Sequence, residues 1–408
     1  MRVTTGTTSK TVADFFAGIG LVTMGLQMAG WDTVYALDYD DLKELQYTAN
    51  FGKGHYHTKD VAKEKGKNVP NVTLAHASFP CTDLSLAGAR KGIYQGESQA
   101  FWEFARILRE MKEKYGEASP NYVLLENVEG LLTSNNGMDL RELLVRLNEL
   151  GYRVDLLRIN ASHFVPQSRV RIFIVGVHES LVSSFDQNDL LQEFSLRSTN
   201  ARPAKILNYI KKHSDIDWYF HRLPNLPIRT EVLSDIIDEG EEWWPEERTA
   251  YLYNQLHSRQ RDILEAQKNS KVYRYYAGFR RMRMRDGKRQ STVELRNDDI
   301  AGCLRTPKGG SARQIVVRAG KGKIDARLFN GREAARLMGA KEFVIPSELS
   351  LNQALFGFGD AVCVQALQWL GDNYFNSLIE DSLAVTEPVQ VEEKLDSLNQ
   401  VAVLGLQD

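Results

Sequence analysis

The chain of 408 residues has only three cysteines, Cys81, Cys303 and Cys363. They are too widely spaced, and odd in number, for a disulfide framework or a zinc site, which points to a reducing compartment and a cytoplasmic protein. No apolar run approaches the ~20 residues that a bilayer span needs, and Met1 to Lys10 shows no apolar segment of a secretory signal. A membrane role is therefore not expected. Net charge is nearly absent too, at −2, which at first sight argues against a polyanionic partner. The sum conceals segregation: residues 271–327 hold 16 Lys/Arg against 5 Asp/Glu, and residues 231–247 hold 8 acids and no base. Each neutralised phosphate contributes where the basic residues lie, so local sign outweighs the total. The composition, 43% hydrophobic and 25% charged, is ordinary for a globular protein, and the length calls for one large core plus a smaller module.

What is present begins with a strand-like Thr11–Phe16 that runs into Ala17-Gly18-Ile19-Gly20. Leu21, Met24, Gly25 and Met28 then fall at i, i+3, i+4 and i+7 of a helix that Gly30 stops. Strand, Gly-x-Gly turn and helix open a nucleotide-type α/β fold, where glycines let a ligand approach the backbone. A dinucleotide fingerprint would place a third glycine where the chain has Thr23, so an adenosine ligand without a pyrophosphate suits the turn at least as well. The next strand, Thr33–Leu37, ends in Asp38-Tyr39-Asp40. Asp38 stands where a ribose diol is usually held, or equally where it would cap the helix predicted over Asp41–Asn50. Asp60-Val61 carries the same ambiguity, its functional reading being a contact to an adenine edge.

A lone cysteine organises the rest. Val72–Ala77 reads as a short buried strand that Pro80 stops by removing a ladder donor, so Cys81 falls where strand hands over to loop. Gly88, Gly92 and Gly96 recur every four residues beyond it, a composition suited to a lid. Phe101, Phe104, Ala105 and Leu108 mark a helix over Ser98–Lys114, and the strand Tyr122–Leu125 ends in Glu126-Asn127-Val128. Ligand sites of open α/β sheets lie at such carboxyl ends. A helix over Met138–Leu150 leads to a strand over Arg153–Ile159, and a further strand, Arg171–Val175, is entered through Gln167-Ser168-Arg169-Val170-Arg171. Its two arginines share a face by the two-residue period, so thiol, carboxylate and arginine can converge.

Beyond Val177 the alternation lapses. Residues 180 to about 300, with Pro203, Pro224, Pro227 and Pro245, read as an inserted module, and its acidic stretch Glu231–Glu247, with Trp243 and Trp244 inside it, as a solvated face packed by one aromatic rather than a binding site. A strand within Tyr273–Arg285 would put Arg281, Arg283 and Arg285 on one face, suited to nucleic acid. Arg305–Gln314, with Lys308 and Arg313, is a second basic segment whose glycines and hydroxyls suit phosphate contacts. Gly331–Gly339 reads as a bracing helix, and Gly357 to Val362 as a glycine turn opening a helix through Leu370. The tail from Val385 is mildly acidic and reads as peripheral.

In this order these segments resemble the cytosine-5 DNA methyltransferase family over about residues 11–177 and 327–370. The family's Phe-x-Gly-x-Gly stands as Phe16 to Gly20, its Pro-Cys loop as Pro80-Cys81 with Ser85 and Gly88, and its Glu-Asn-Val as Glu126 to Val128. Its Gln-x-Arg-x-Arg stands as Gln167 to Arg171, its Arg-Glu-Ala-Ala-Arg-Leu helix as Arg332 to Leu337, and its final Gly-Asn-(Ser/Ala)-Val as Gly359 to Val362. The chain departs at Asp360, where Asn is usual, and at Leu21, where a third glycine is frequent.

The resemblance implies an α/β fold: a Rossmann-like S-adenosylmethionine-dependent methyltransferase domain with an inserted smaller target-recognition domain. Residues 1–185 and 327–384 would be catalytic, 186–326 target-recognising and 385–408 an acidic tail. It implies Cys81 as nucleophile at C6 of a flipped-out cytosine, Glu126 on the N3 and N4 edge, and Arg171, with Arg169 in support, on O2. S-adenosylmethionine would be held by Phe16, Gly18, Ile19, Gly20, Asp38, Tyr39, Asp60, Val61, Pro80, Asp360 and Ala361, with no metal. DNA contacts would come from Ser85, Arg281, Arg283, Arg285, Arg305, Lys308 and Arg313. The implied partner is double-stranded DNA, met by a monomer within a restriction-modification or other defence system that includes a cognate restriction endonuclease. An RNA cytosine-5 methyltransferase and a catalytically silent DNA-binding protein are the other readings, the first disfavoured by the long module.

Overall fold

Two sheets carry the chain. The computed structural model describes residues 9–80, 99–116, 118–182, 199–285, 287–306 and 313–380. The larger sheet has seven strands in the order β3-β2-β1-β4-β5-β7-β6. They are β1 Thr11–Phe15, β2 Asp32–Asp38, β3 Tyr56–Thr58, β4 Leu74–Ala77, β5 Tyr122–Val128, β6 Tyr152–Asn160 and β7 Val170–His178. Strands β1 to β5 run parallel, and β7 runs antiparallel to both β5 and β6. Strand order reverses between β1 and β4, the switch point at which open α/β sheets hold ligands.

Alternating side chains feed two apolar layers, as the period of two requires. On one face Phe15, Ala75, Val123 and Leu125 meet Phe101, Phe104 and Leu108 of α3 (Ala100–Tyr115) and Leu140, Leu143 and Leu144 of α4 (Met138–Glu149). On the other, Val12, Leu74, Leu124 and Phe173 meet Val22 and Leu26 of α1 (Leu21–Met28) and the chain from Val362 to Ile379. The helix α2 (Asp41–Phe51) covers the β2 and β3 edge. Next in the chain come α5 (Ala204–Lys212), α6 (Leu233–Ile236), α7 (Glu246–Asn254) and α8 (Ser258–Lys268). The second sheet is antiparallel, ordered β11-β10-β8-β9, from β8 Arg274–Arg285, β9 Lys288–Leu295, β10 Gln314–Gly320 and β11 Lys323–Leu328. The chain then returns through α9 (Gly331–Leu337), α10 (Leu351–Asp360) and α11 (Val364–Leu370). Among the described residues no helix is long and apolar enough to cross a membrane.

Three local expectations are corrected. Met28 is 54% exposed, and the buried side of α1 is Leu21, Val22, Gly25 and Leu26. The stripe shifts because α11 packs so closely that a Cβ on Gly25 would lie 2.5 Å from the Val364 carbonyl oxygen. Residues 201–226, placed in the inserted module by composition, pack on the first sheet: Trp218 bridges Val154 of β6, and Ile206 and Ile210 join the α4 layer. Arg202 is buried there against Asp155, donating from Nε at 3.0 Å. The acidic stretch is the expected solvated face packed by an aromatic, with Asp235, Glu239, Glu241, Glu242, Glu246 and Glu247 exposed. Arg318 and Arg327 stack on Trp243 at 4.2 and 4.7 Å, and Glu239 pairs with Arg318 at 3.3 Å, so it neutralises part of the basic excess of the second sheet. The glycine turn at 357–362 does not open a helix. Gly357 and Gly359 lie in the last turn of α10, where Gly359 abuts the Arg305–Thr306 backbone, and α11 begins only at Val364.

Candidate active site

The turn after β1 is built from left-handed residues. Phe16, Gly18 and Gly20 have φ of 59°, 57° and 89°. The conformation costs a side-chain-bearing residue such as Phe16 about 1–2 kcal/mol, and strain of this kind gathers at functional sites. The turn is stitched to the end of β2: Ala17 N–H donates to the Leu37 carbonyl at 3.0 Å and Gly18 N–H to Asp38 Oδ2 at 2.9 Å. The two glycines serve different ends. A Cβ on Gly20 would lie 2.4 Å from the Phe51 ring, whereas one on Gly18 would meet nothing nearer than 3.9 Å and would enter the cavity that Gly18 lines.

That cavity, of about 270 Å³, lies over the carboxyl ends of β1, β2, β4 and β5. Phe16, Gly18, Ile19, Asp38, Tyr39, Pro80, Asp360 and Ala361 line it, together with Glu126, Arg169 and Arg171. Gly20 is not among the lining residues and packs against Phe51 and Tyr47 instead. Asp60 and Val61 are not brought to it: Asp60 accepts from Ala62 N–H at 2.9 Å as the cap of a short turn, and Val61 joins the core. Cys81, Ser85 and Lys308, and with them the predicted lid, lie outside the described residues.

Asp38 does not cap α2: Asp40 does, accepting from Leu42 and Lys43 N–H at 2.9 and 3.2 Å. Asp38 accepts from Gly18, and from Tyr39 and Asp40 at 2.8 and 3.1 Å. Burial raises its pKa, against the opposing pull of Lys43 and those three N–H groups. Lys43 was not singled out by the sequence, yet it lines the cavity and pairs with Asp360 at 3.2 Å. Its legible signal is a lysine in the first turn of a helix, against the helix dipole.

Glu126, near the end of β5, pairs with Arg171 Nε at 2.7 Å, their side chains 8% and 15% exposed. They meet because β7 is antiparallel, which sets its first residues beside the last of β5, Arg171 opposite Val128. Arg169 is fixed below them. Its Nη1 donates to the Leu304 carbonyl at 3.0 Å and Cys303 Sγ at 3.2 Å, and its Nη2 to the Gly359 and Ala361 carbonyls at 3.1 and 2.6 Å. Through both Nη atoms it therefore clamps three chain segments together, while its buried Nε has no partner among the described residues. Burial would push the Cys303 thiol up, but Arg169 and Arg171 outweigh it and hold the thiol below its ordinary value. Burial pushes the Cys363 thiol up to about 11. Asn127 donates to the Phe79 carbonyl at 3.3 Å, tying β5 to the segment that precedes Cys81.

Arg281, Arg283, Arg305 and Arg313 do not line the cavity, although Arg305 adjoins its wall at Thr306 and Gly359. Arg281 and Arg283 share Glu294 of β9, at 3.1 and 2.5 Å, and Met282 between them and Met284 after them are exposed. Arg305 is exposed and Arg313 donates to Asn352. Among the described residues no group of His, Cys, Asp and Glu could hold a metal ion.

A family model described as C-5 cytosine-specific DNA methylase matches residues 10–376. The type II methyltransferase M.BsuFI of Bacillus subtilis is 32% identical over 205 residues, 50% of this chain and 46% of that protein. The orphan methyltransferase M.Rho11sI of Bacillus phage rho11s is 29% identical over 271 residues, 62% of this chain and 49% of that protein. The match thus spans about half the length of these relatives. The type II methyltransferase M1.ScrFI of Lactococcus lactis subsp. cremoris is 28% identical over 368 residues, 90% of this chain and 78% of that protein. In fold, the chain is similar to the Entamoeba histolytica methyltransferase EhMeth, with a TM-score of 0.58 at 13% identity over 91% of this chain and 98% of that one. It is also similar to a Spodoptera frugiperda DNMT2 variant, with a TM-score of 0.56 at 16% identity over 91% and 100%.

Proposed function

The chain belongs to the C-5 cytosine-specific DNA methylase family, and from that premise we propose that it transfers a methyl group from S-adenosylmethionine to C5 of a cytosine flipped out of duplex DNA. The observation that carries the reading is the Glu126–Arg171 pair in the same cavity as the Gly18 turn. The cavity fits the cofactor: the open space at Gly18 admits an adenosine against the backbone, and Asp38 offers a carboxylate at the strand end for a ribose diol. When bound, S-adenosylmethionine supplies an electrophilic methyl group.

Cytosine C5 is a poor nucleophile until addition at C6 breaks the aromatic ring. Cys81 is the nucleophile for that addition, and as a free thiol it is only a few per cent ionised at neutral pH, so it needs activation by its surroundings. Glu126 holds the N3 and N4 edge, so that charge from the attack is absorbed at N3. Arg171 binds O2 and stabilises the same charge, held in place by the clamp at Arg169. Entry of the base would open the Glu126–Arg171 pair and replace each partner by a base edge. Flipping costs a few kcal/mol, which contacts from the 81–98 segment and the second module offset.

The second sheet, with the helices from Leu233 onward that pack on it, serves as the DNA-reading module, its hairpin arginines on phosphates or guanines. The chain acts as a monomer on double-stranded DNA in the cytoplasm, and the type II names of its relatives favour a restriction-modification setting with a cognate endonuclease. Bisulfite sequencing of DNA from cells expressing the chain, beside cells expressing Cys81→Ala, tests the activity. Protected cytosines in one short context, lost in the variant, are expected; no protection in soluble protein would refute DNA methylation and turn attention to RNA.

A further inference from the structure

A buried chain of three side chains opens into the cavity and has no part in the chemistry above. Asp14 of β1 and His76 of β4, partners across the parallel pair, are both fully buried, with Asp14 Oδ1 2.7 Å from His76 Nδ1. His76 Nε2 lies 3.2 Å from Ser78 Oγ, and Ser78 is half-buried and lines the cavity. The carboxylate only accepts, so the proton of the imidazole sits on Nδ1, and the Nε2 lone pair faces the Ser78 hydroxyl. Thr23 Oγ1 donates to Asp14 Oδ2 at 3.5 Å and meets Tyr47 Oη at 3.0 Å, and Tyr47 meets His55 at 2.9 Å, which fixes the carboxylate from the α1 and α2 side. Acid, imidazole and hydroxyl in this sequence of contacts form a proton-accepting arrangement, recognised by geometry rather than by position in the chain.

Its place in the sheet says which proton it would take. The order of neighbours is β1-β4-β5-β7. Ala77 is in register with Leu125, so Ser78 follows beside Glu126, and both line the cavity. A cytosine with O2 at Arg171 on β7 and its N3 and N4 edge at Glu126 on β5 presents its next ring atom, C5, toward β4. Ser78 is the hydroxyl at the end of that strand.

We propose that Ser78, backed by His76 and Asp14, accepts the proton that leaves C5 after methyl transfer; the inference rests on the methyltransferase reading above. The C5–H bond breaks and its electron pair becomes the C5–C6 double bond. The C6–S bond to Cys81 breaks, with its pair left on sulfur. The proton passes to Ser78 Oγ as the hydroxyl proton passes to His76 Nε2, and the imidazolium so formed is paired with the Asp14 carboxylate. The proton then leaves to solvent, matching the one proton released for each methyl group transferred.

Two substrates separate this step from those before it. Duplex DNA with 5-fluorocytosine at the target stalls after methyl transfer, since fluorine cannot leave as a cation, so the covalent adduct reports addition and transfer. Duplex DNA tritiated at C5 reports proton loss. Ser78→Ala is expected to form the adduct at the rate of the unsubstituted chain while releasing tritium about 100-fold more slowly, the lower end of what general base catalysis contributes. Ser78→Thr, which keeps the hydroxyl, is expected to restore release. His76→Gln, checked for folding by circular dichroism, should match Ser78→Ala. Unchanged tritium release in Ser78→Ala, or loss of the adduct itself, would overturn the proposal. Absence of any adduct with the unsubstituted chain would refute the methyltransferase reading, and the relay with it.

Discussion

Lys43, in the first turn of α2, and Asp360, the last residue of α10, pair at 3.2 Å on the wall of the cavity. Each is misplaced for its own helix, a cation at the positive end of one dipole and an anion at the negative end of the other. Two local violations that resolve in one tertiary contact mark a functional wall rather than a folding preference. The pair ties the end of α10 to α2 on the edge of the first sheet, and Lys43 also opposes the burial of Asp38.

Lys43→Met and Asp360→Asn should each weaken binding of S-adenosylhomocysteine about fivefold, in keeping with ~1 kcal/mol for a partly exposed ion pair. The double variant should lose little more than either single one. Titration calorimetry at two salt concentrations checks this, and additive losses would argue against a shared contact.

Arg171→Ala should lower turnover by about 100-fold or more, as removal of a donor to developing charge does. DNA binding measured by gel shift should persist in this variant and in Cys81→Ala, whose methylation should vanish. Near-normal turnover without Arg171 would remove it from the chemistry.

Gly18→Ala and Gly20→Ala should separate binding from stability. The first places a methyl group in the cavity and should abolish cofactor binding at a strain cost of about 1–2 kcal/mol. The second drives a methyl group into Phe51 and Tyr47, adding an overpacking cost of about 1–3 kcal/mol. Thermal unfolding should therefore drop further for Gly20→Ala.

Replacing Arg281 and Arg283 by Ala should weaken DNA binding and flatten its salt dependence by fewer than two phosphate equivalents of about 0.9 each, because both arginines already share Glu294. Glu294→Gln should steepen the slope. Equal slopes in all three proteins would exclude this hairpin from the DNA surface.

Glu64 is buried, which alone would raise its pKa, but donors from Lys65 N–H, Asn68, Lys59 and Tyr35 outweigh this and lower it. A folded-state pKa below the unfolded one means that the unfolded chain binds the proton more readily. The stability from Glu64 is thus present above the ordinary carboxylate range and lost as pH falls through and below it. Thermal unfolding between about pH 6 and pH 3 should fall less steeply for Glu64→Gln than for the unsubstituted chain.

The elements of the first sheet were legible because their signals are local. Apolar period, glycine stops and Pro80 specify a strand or helix without knowledge of what packs on it, and the helix predicted over Ser98–Lys114 forms as α3 over Ala100–Tyr115 with its predicted stripe buried. The 201–226 segment was misassigned because its prolines and aromatics look irregular, and only the exposed flank of β6 gives them a surface to cover. The acidic stretch is the solvated face its composition indicates, but the partners of its Trp243, Arg318 and Arg327, were not legible, since they come from strands far along the chain.

The site divides in the same way. Sequence alone carried the residue types: a thiol after a strand, Glu126 ending another, two arginines at a two-residue spacing, glycines where a ligand meets backbone. Tertiary structure decided their contacts. The antiparallel β7 brought Arg171 to Glu126, the return of α10 turned Arg169 into a clamp and paired Asp360 with Lys43, and the β1–β4 register set Asp14, His76 and Ser78 in line. Patterns of three or four residues report local geometry, whereas these contacts join positions distant in the chain, and only the packed sheet fixes which of them meet.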